Sequence, residues 1–353
     1  MLRFLITLLV CTAGGLLMKR LKVPGGMLVG ALIGGALLNV LTPYGYMPYA
    51  GRFAAQAAAG AYIGALFDRG QLRSIRRVWK PYLVIMIFFL SANLLAGFLI
   101  WRTGACDLMT ALLCCVPGGM SDTPLIAADM GADVGTVAIL QFVRMVTGIV
   151  IMPSVISLVV RQDDAPAADS PGEEPAGEGE RVEKTIPLAA GTVAVALVGG
   201  GLGKASGIPA GILVGAMLAV IVMNLTYGRA YLPMALKRAA QVLSGAYIGC
   251  TLTRESIIRL RYLLLPALII LAVYIPMSLL CGWLNARLFH RGTRESMLSA
   301  TPGGASDMAL IAADLGVESA DLMVTQVLRM VSVVVIFPQL VYRLCALLGQ
   351  LPG

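Results

Sequence analysis

Apolar runs of roughly membrane-spanning length follow one another almost without pause along this chain. A helix needs about 20 residues to cross the hydrocarbon core of a bilayer. Runs near that length occupy residues 3–18, 24–41, 47–67, 81–101, 106–130 and 134–160, then 186–203, 209–226, 232–252, 264–286, 291–315 and 319–347. Each predicts a helix, and together they predict an all-α polytopic membrane protein. Polar sequence takes over only at 161–184, where Pro, Gly, Ala and Glu dominate. Such a stretch cannot bury enough apolar surface to fold, so it reads as a disordered tether.

The two sets of runs are copies. Val23-Pro-Gly-Gly-Met-Leu-Val-Gly-Ala31 returns 185 residues later as Ile208-Pro-Ala-Gly-Ile-Leu-Val-Gly-Ala216. Gln56 and Gly60-Ala-Tyr-Ile-Gly64 return as Gln241 and Gly245-Ala-Tyr-Ile-Gly249. Pro117-Gly-Gly-Met-Ser-Asp122 returns as Pro302-Gly-Gly-Ala-Ser-Asp307, and Gln141-Phe-Val-Arg144 as Gln326-Val-Leu-Arg329. The expected organisation is therefore a membrane repeat at 1–160, an acidic cytoplasmic linker at 161–184 and a second membrane repeat at 185–353. Two equal apolar copies with charges inside hydrophobic sequence are the usual plan of a secondary transporter. The N-terminal run reads as a repeat helix rather than a cleaved signal peptide, because Gly14, Gly15 and Lys19 match Gly199, Gly200 and Lys204.

Composition agrees. The chain is 58% hydrophobic and 13% charged, with a mean hydropathy of +0.84; a soluble domain carries about twice that charge fraction. Seven scattered cysteines without CxxC spacing suggest neither a disulfide framework nor a thiolate metal site. His290 is the single histidine, which speaks against copper or iron redox chemistry and against any metal or redox cofactor. No nucleophile–base constellation is apparent, so an enzyme is not expected, and no phosphate-binding loop for ATP occurs.

Charge also orders the topology. The linker holds 8 of the 19 acidic and 3 of the 27 basic residues, so the membrane part carries +13. If each copy crosses six times, the basic residues divide 12 inside and 13 outside. If the fifth segment enters and returns, each copy crosses five times, the second copy is inverted, and the count becomes 17 inside and 8 outside. Only the inverted arrangement follows the positive-inside rule. It predicts two inverted-topology repeats, each of about five spanning helices plus one segment that is re-entrant or broken. Pro117-Gly118-Gly119 sits at the middle of that segment, where Pro lacks a donor and Gly admits positive φ, so a continuous helix is not expected.

The chemistry gathers at the same breaks. Gly118, Gly119, Ser121 and Asp122, with Gly303, Gly304, Ser306 and Asp307, would bring unpaired backbone, hydroxyls and carboxylates to mid-bilayer. Such carboxylates are expensive there and usually functional, although Ser and Asp are also favoured helix caps. Arg144 and Arg329 lie in apolar helices three residues after a glutamine and on the same face. A bare guanidinium in hydrocarbon costs at least about 3 kcal/mol, so each needs a partner. Asp122, Asp129, Asp307 and Asp314 are the candidates, for a structural clamp, for binding an anionic solute, or for both. Gln56 and Gln241 are read as site-lining or as interhelical bonds, and the neighbouring GxxxG spacings as close helix contacts.

The doubled Pro-Gly-Gly-x-Ser-Asp…Ala-Ala-Asp-x-Gly segments, each followed by Gln-x-x-Arg-Met-Val and then Pro153 or Pro338, resemble the AbrB-type bacterial membrane protein family over nearly the whole chain outside the linker. Members of that family carry labels of ammonia monooxygenase or of regulator. The resemblance implies a duplicated integral membrane protein, distantly similar to cation/proton antiporter and anion transporter folds with inverted repeats and elevator-like motion. The oxygenase label fits poorly with one histidine, and the regulator label finds no soluble DNA-binding module. The expectation is a multi-pass transporter of the bacterial inner membrane, a homodimer in the lipid bilayer with no nucleic-acid partner. It would couple a small polar solute, weakly favoured as an organic anion, to H⁺ or Na⁺. The alternative is a membrane-embedded sensor or regulator of gene expression that binds the same solute.

Overall fold

The computed structural model describes residues 2–21, 23, 25–42, 44–67, 69–159, 186–228, 230–254, 260–303 and 319–350. The linker at 161–184, and with it Gly304, Ser306, Asp307 and Asp314, lies outside them. The described elements of the first copy are the helices α1 (Leu2–Arg20), α2 (Gly26–Leu41), α3 (Tyr49–Ala65), α4 (Arg69–Arg102), α5 (Leu108–Cys115), α6 (Thr123–Asp129) and α7 (Val134–Val146). A π-helical turn at Thr147–Ile151 then carries α7 into α8 (Met152–Val159). The second copy supplies α9 (Ile186–Ala205), α10 (Gly211–Tyr227), α11 (Met234–Thr251), α12 (Leu264–Phe289), α13 (Thr293–Ser299) and α14 (Ala320–Leu347). Six described helices are long and apolar enough to cross a membrane, and Gly26–Leu41 and Gly211–Tyr227 are shorter apolar helices. The chain is an all-α polytopic membrane protein.

The fifth segment enters and returns. Asp107 caps α5 by accepting from the Thr110 backbone N–H at 3.0 Å. The Thr110 hydroxyl in turn accepts from the backbone N–H of Asp133, just beyond α6, at 3.0 Å. The start and finish of the segment are therefore side by side. Each arm is only seven or eight residues long, about 12 Å of helix, well short of the hydrocarbon core. α5 and α6 form a re-entrant hairpin, not a broken helix that still crosses.

The helices sort into two bundles, each drawing on both copies. In the first, α2 packs on α11, α3 on α10, and α3 on α11, with α1 and α9 flanking α2 and α10. In the second, α4 packs on α12, and the short helices α5 and α13 nest against α4, α7, α12 and α14. Glycine determines how closely the first bundle closes. A β-carbon at Gly60 would lie 2.5 Å from the Leu213 carbonyl oxygen, and one at Gly245 2.5 Å from that of Leu28. These two contacts are equivalent under the 185-residue offset, and no side chain fits in either. The GxxxG runs are thus helix-contact surfaces, and the helices they join belong to different copies.

Two equivalent ring contacts fix the relative direction of the copies. The Arg52 guanidinium lies 5.3 Å from the Tyr247 ring centroid and donates to the Tyr247 hydroxyl at 3.2 Å. The Lys237 ammonium lies 3.8 Å from the Tyr62 ring centroid. Arg52 starts α3 and Tyr247 ends α11, while Lys237 starts α11 and Tyr62 ends α3, so these equivalent helices cross antiparallel. The copies are therefore inverted about an axis in the membrane plane. Asn39 and Asn224 repeat the relation: Asn39 donates to the Leu252 carbonyl at 3.0 Å, and Asn224 to the Phe67 carbonyl at 3.0 Å. Each ties down the end of a helix from the other copy.

Inversion predicts that equivalent loops face opposite sides of the membrane. Thr103 and His290 close the α4–α5 and α12–α13 connections and are exposed. Single cysteines there, in a background without accessible native thiols, should react with an impermeant maleimide from opposite faces of oriented vesicles. Reaction of both from one face would overturn the inverted topology.

Candidate functional site

Pro117-Gly118-Gly119 ends α5 inside the membrane, which leaves the last helical carbonyls without intrahelical donors. Lipid offers no replacement. The donors come from α7. Gln141 Nε2 donates to the carbonyls of Leu113, Cys114 and Val116 at 3.0, 3.3 and 2.9 Å. Arg144 completes the set, donating from its two terminal nitrogens to Val116 at 2.7 Å and to Gly118 at 2.6 Å. One helical turn separates the two side chains, and together they cap the half-helix. The second copy repeats the device. Gln326 donates to Leu298 and Ser299 at 3.1 and 3.5 Å, and Arg329 to Thr301 at 2.6 Å and to the Gly303 carbonyl.

Of the aspartates expected as partners of Arg144 and Arg329, Asp307 and Asp314 lie outside the described residues, and Asp122 and Asp129 pair with neither arginine. Among the described residues neither meets a carboxylate at ion-pair distance. The physical reason is that a guanidinium carries several donors in a planar fork, and a cluster of stranded carbonyls takes them up as a carboxylate would. Arg329 also meets an aromatic ring from the other copy's long fourth helix, with Phe89 5.6 Å from its guanidinium; the equivalent Tyr274 lies within electrostatic reach of Arg144 and donates its hydroxyl to the Cys115 carbonyl at the end of α5.

Asp129 is the acid that does pair. It forms a salt bridge with Arg52 on α3 and accepts from Gln56 Nε2 at 2.8 Å, while Gln56 also donates to the Leu125 carbonyl at 3.2 Å. Gln56 therefore fastens the return arm of the hairpin to the first bundle and does not line the cavity described next.

A cavity of about 240 Å³ lies between the two bundles. The hairpin bundle contributes Gly118, Gly119, Ser121, Asp122, Arg144, Gly303 and Arg329, and the other bundle faces them with residues of α2, α3 and α11 that include Tyr62, Lys237 and Gln241. Eight of the residues picked out by sequence converge here: Gly118, Gly119, Ser121, Asp122, Arg144, Gln241, Gly303 and Arg329. Gly304, Ser306 and Asp307 fall outside the described residues. Lys237 and Tyr62 were missed by sequence, although both recur in kind in the other copy, as Arg52 and Tyr247. Gln141 and Gln326 were noted only as spacing, and they prove to be half of the cap.

Asp122 stands where a cap is expected, before α6, yet its side chain makes no cap bond and its backbone is already helical. Asp107, Asp133 and Ser319 do cap their helices with side-chain bonds. The Asp122 carboxylate instead accepts from the Ser121 hydroxyl at 2.8 Å, is 4% exposed, and lies against the hairpin turn, where a β-carbon at Gly119 would strike it. Glycine at 119 is what lets this carboxylate fold back to the tip.

The cavity's lining residues on α3 come from the second half of that helix, and those on α11 mostly from the first half. Since the helices cross antiparallel, both sets lie toward one face, and the Arg52–Asp129–Gln56 cluster lies toward the other. The copies differ locally at the second tip. The π-turn places Gly148 against the tip of the second hairpin, where a β-carbon would lie 2.8 Å from the Pro302 carbonyl oxygen; the equivalent residue of the second copy is Val333. Among the described residues no cluster of three or more metal-ligating side chains forms.

Two substitutions separate cap from latch. Arg52→Ala should cost about 2–3 kcal/mol of stability through loss of a charge-assisted bond, and adding Asp129→Asn should recover part of it because the stranded carboxylate is removed. Arg144→Ala strands the Val116 and Gly118 carbonyls instead, so Asp129→Asn or Asp122→Asn should not restore it. Thermal unfolding in detergent reads both cycles; rescue of Arg144→Ala by either asparagine would contradict the carbonyl cap.

The family model described as "Transition state regulatory protein AbrB" matches residues 1–79 and 46–345. Two relatives are similar along nearly their full length. The chain is 25% identical over 353 residues to "Uncharacterized protein YhjN" of Bacillus subtilis (strain 168), covering 95% of this chain and 91% of that protein. It is 26% identical over 327 residues to "Putative regulator AbrB" of Escherichia coli (strain K12), covering 89% and 88%. With the family model spanning both inverted copies and the hairpin that interrupts each described bundle, the chain belongs to the AbrB family.

Proposed function

We propose that this protein is a secondary active transporter of the bacterial inner membrane. It moves a small polar solute, preferably an organic anion, in exchange with or alongside H⁺ or Na⁺. The observation that carries the reading is a cavity between two bundles, at the tip of a re-entrant hairpin, with the Arg52–Asp129 pair bridging the bundles toward one face. That is the geometry alternating access needs: a site at mid-membrane and two bodies able to shift around it. The hairpin bundle would travel, elevator-like, against the α1–α3 and α9–α11 bundle. The outer surface of α1 and α9, with Leu5, Leu9 and Leu202 exposed, would meet lipid or a second copy in a homodimer. Breaking the Arg52–Asp129 pair would release that contact between the bundles. Asp122, buried beside the tip without a cap bond, is the coupling group.

A second reading is favoured by the Escherichia coli relative's name, "Putative regulator AbrB". Here the same cavity would bind a solute without moving it and report occupancy to gene expression through a partner.

Charge movement on a solid-supported membrane distinguishes the two. Proteoliposomes given small carboxylates under an imposed pH or Na⁺ gradient should produce transient currents. Asp122→Asn and Asp307→Asn should each lower coupled current about tenfold or more, the scale of one lost charge-assisted bond. If both asparagine variants keep the same H⁺ and Na⁺ dependence, the aspartates have no coupling role. Binding without current for every solute would favour the sensor.

A further inference from the structure

We infer that the membrane face at which α4 begins and α12 ends is built to seat anionic phospholipid, the phosphodiester headgroup held by Arg76 and Lys80 of α4 and by Arg287 of α12. None of these residues lines the cavity, so the seat would serve a transporter and a sensor alike.

Depth along the two helices places these bases in the headgroup layer. Phe89 of α4 lies beside the Arg329 guanidinium, and the equivalent Tyr274 of α12 lies within electrostatic reach of Arg144. Both rings therefore mark the level of the buried caps, near mid-membrane. Trp79 stands ten residues before Phe89, and Trp283 nine after Tyr274. Those steps are about 15 Å and about 14 Å of helix, half of a hydrocarbon core about 30 Å thick. The two tryptophans thus reach the boundary between hydrocarbon and headgroups, where such rings are favoured, and they are 47% and 46% exposed. α4 packs on α12, and Arg291, just past α12, donates to the Arg77 carbonyl at 3.4 Å, so the start of one helix and the end of the other share a face.

Each tryptophan is followed outward by an arginine one turn away. Arg76 lies three residues before Trp79 and Arg287 four after Trp283, on the same side of its helix. The Arg287 guanidinium is 5.4 Å from the Trp283 ring centroid, and the Lys80 ammonium 5.7 Å from that of Trp79. All three bases are exposed. Neither α4 nor α12 contains an acid, and the acids described at this face, Glu295 and Asp321, both pair with Arg291. Toward the membrane centre the exposed stripes continue as Leu83 and Ile87 on α4 and Leu280 on α12. A phospholipid has the matching order: acyl chains along the leucines, then a phosphodiester that accepts charge-assisted bonds from the bases. A water-borne anion would leave the apolar stripe unused.

The opposite face lacks the arrangement. There the equivalents of Trp79 and Lys80 are Leu264 and Leu265, both exposed, and that of Trp283 is Phe98. The symmetry of the fold therefore does not require a tryptophan paired with a base at this depth.

The test is titration of the full chain, in a neutral detergent, with dioleoyl phosphatidylglycerol or dioleoyl phosphatidylcholine, the bound lipid counted by native mass spectrometry. Phosphatidylglycerol should be retained more tightly. Arg76→Gln, Lys80→Gln and Arg287→Gln should each weaken its apparent Kd about fivefold, the scale of one base at an anionic lipid surface, and the triple variant about a hundredfold. Arg102→Gln, at the exposed equivalent of Arg287 on the opposite face, should leave it unchanged. Glycerol 1-phosphate, which carries the phosphate without acyl chains, should not displace the lipid at equal concentration. Equal binding of the two lipids to the unaltered protein overturns the inference, and is the outcome if the chain's own acids, Asp68 or those of 161–184, neutralise these bases. Equal loss in Arg102→Gln overturns it too, as does displacement by glycerol 1-phosphate, the behaviour of a site for free phosphate. Because the lipid comparison needs no substitution, it decides even if a variant fails to fold.

Discussion

A helix that stops inside a bilayer strands its last carbonyl groups in a medium that cannot hydrogen-bond them, and the architecture of this protein follows from how that is remedied. Gln141 and Arg144 reach across from α7 to the end of α5, and Gln326 and Arg329 do the same from α14 to the end of α13. Once those donors are in place, Pro-Gly-Gly can interrupt the chain at depth without exposing backbone to lipid. The same bonds bind each of these half-helices to the long helix that follows it, with a charged residue at the centre that is almost fully buried.

Placing two such bodies in inverted orientation brings both caps to the membrane midplane. Their positive charges converge there, because neither guanidinium is neutralised by an acid among the described residues. The cavity forms where this charged centre meets the glycine-lined bundle. That bundle is rigid for a different reason. Gly60 and Gly245 allow backbone-to-backbone contact between helices of opposite copies, leaving no side chains to rearrange. The two bundles share one buried apolar core, in which Ile63, Leu213 and Met217 join Leu112, Leu140 and Phe337, and the Arg52–Asp129–Gln56 cluster is a polar contact between them.

Near-symmetry explains why the departures carry the functional interest. Arg52 and Lys237 are equivalent by sequence and meet equivalent tyrosines; Arg52 pairs with Asp129, Lys237 lines the cavity, and Asp314, the equivalent of Asp129, lies outside the described residues. Tyr274 and Phe89 differ by a hydroxyl that bonds the end of the first hairpin's entering arm. Gly148 and Val333 differ by a side chain at the place where the second hairpin's tip would collide.

Much of this was legible in the chain. The apolar runs, the 185-residue offset and the interruptions at Pro117 and Pro302 determine an all-α membrane protein of two copies, because bilayer thickness and backbone hydrogen bonding leave few alternatives. The charge asymmetry also pointed to inversion, which the antiparallel crossing of α3 and α11 bears out. Partnership was not legible. A buried arginine demands acceptors, but sequence does not say whether they are carboxylates or carbonyls, and Arg144 takes carbonyls. Gln56 and Gln241 read as equivalent; the first hairpin's return arm takes up Gln56, while Gln241 lines the cavity. Lys237 reads as a surface charge near a helix start until α3 brings Tyr62 beneath it. Periodicity and composition are local and survive in sequence; which side chain meets which carbonyl depends on how the two inverted copies cross, and tertiary packing alone decided that.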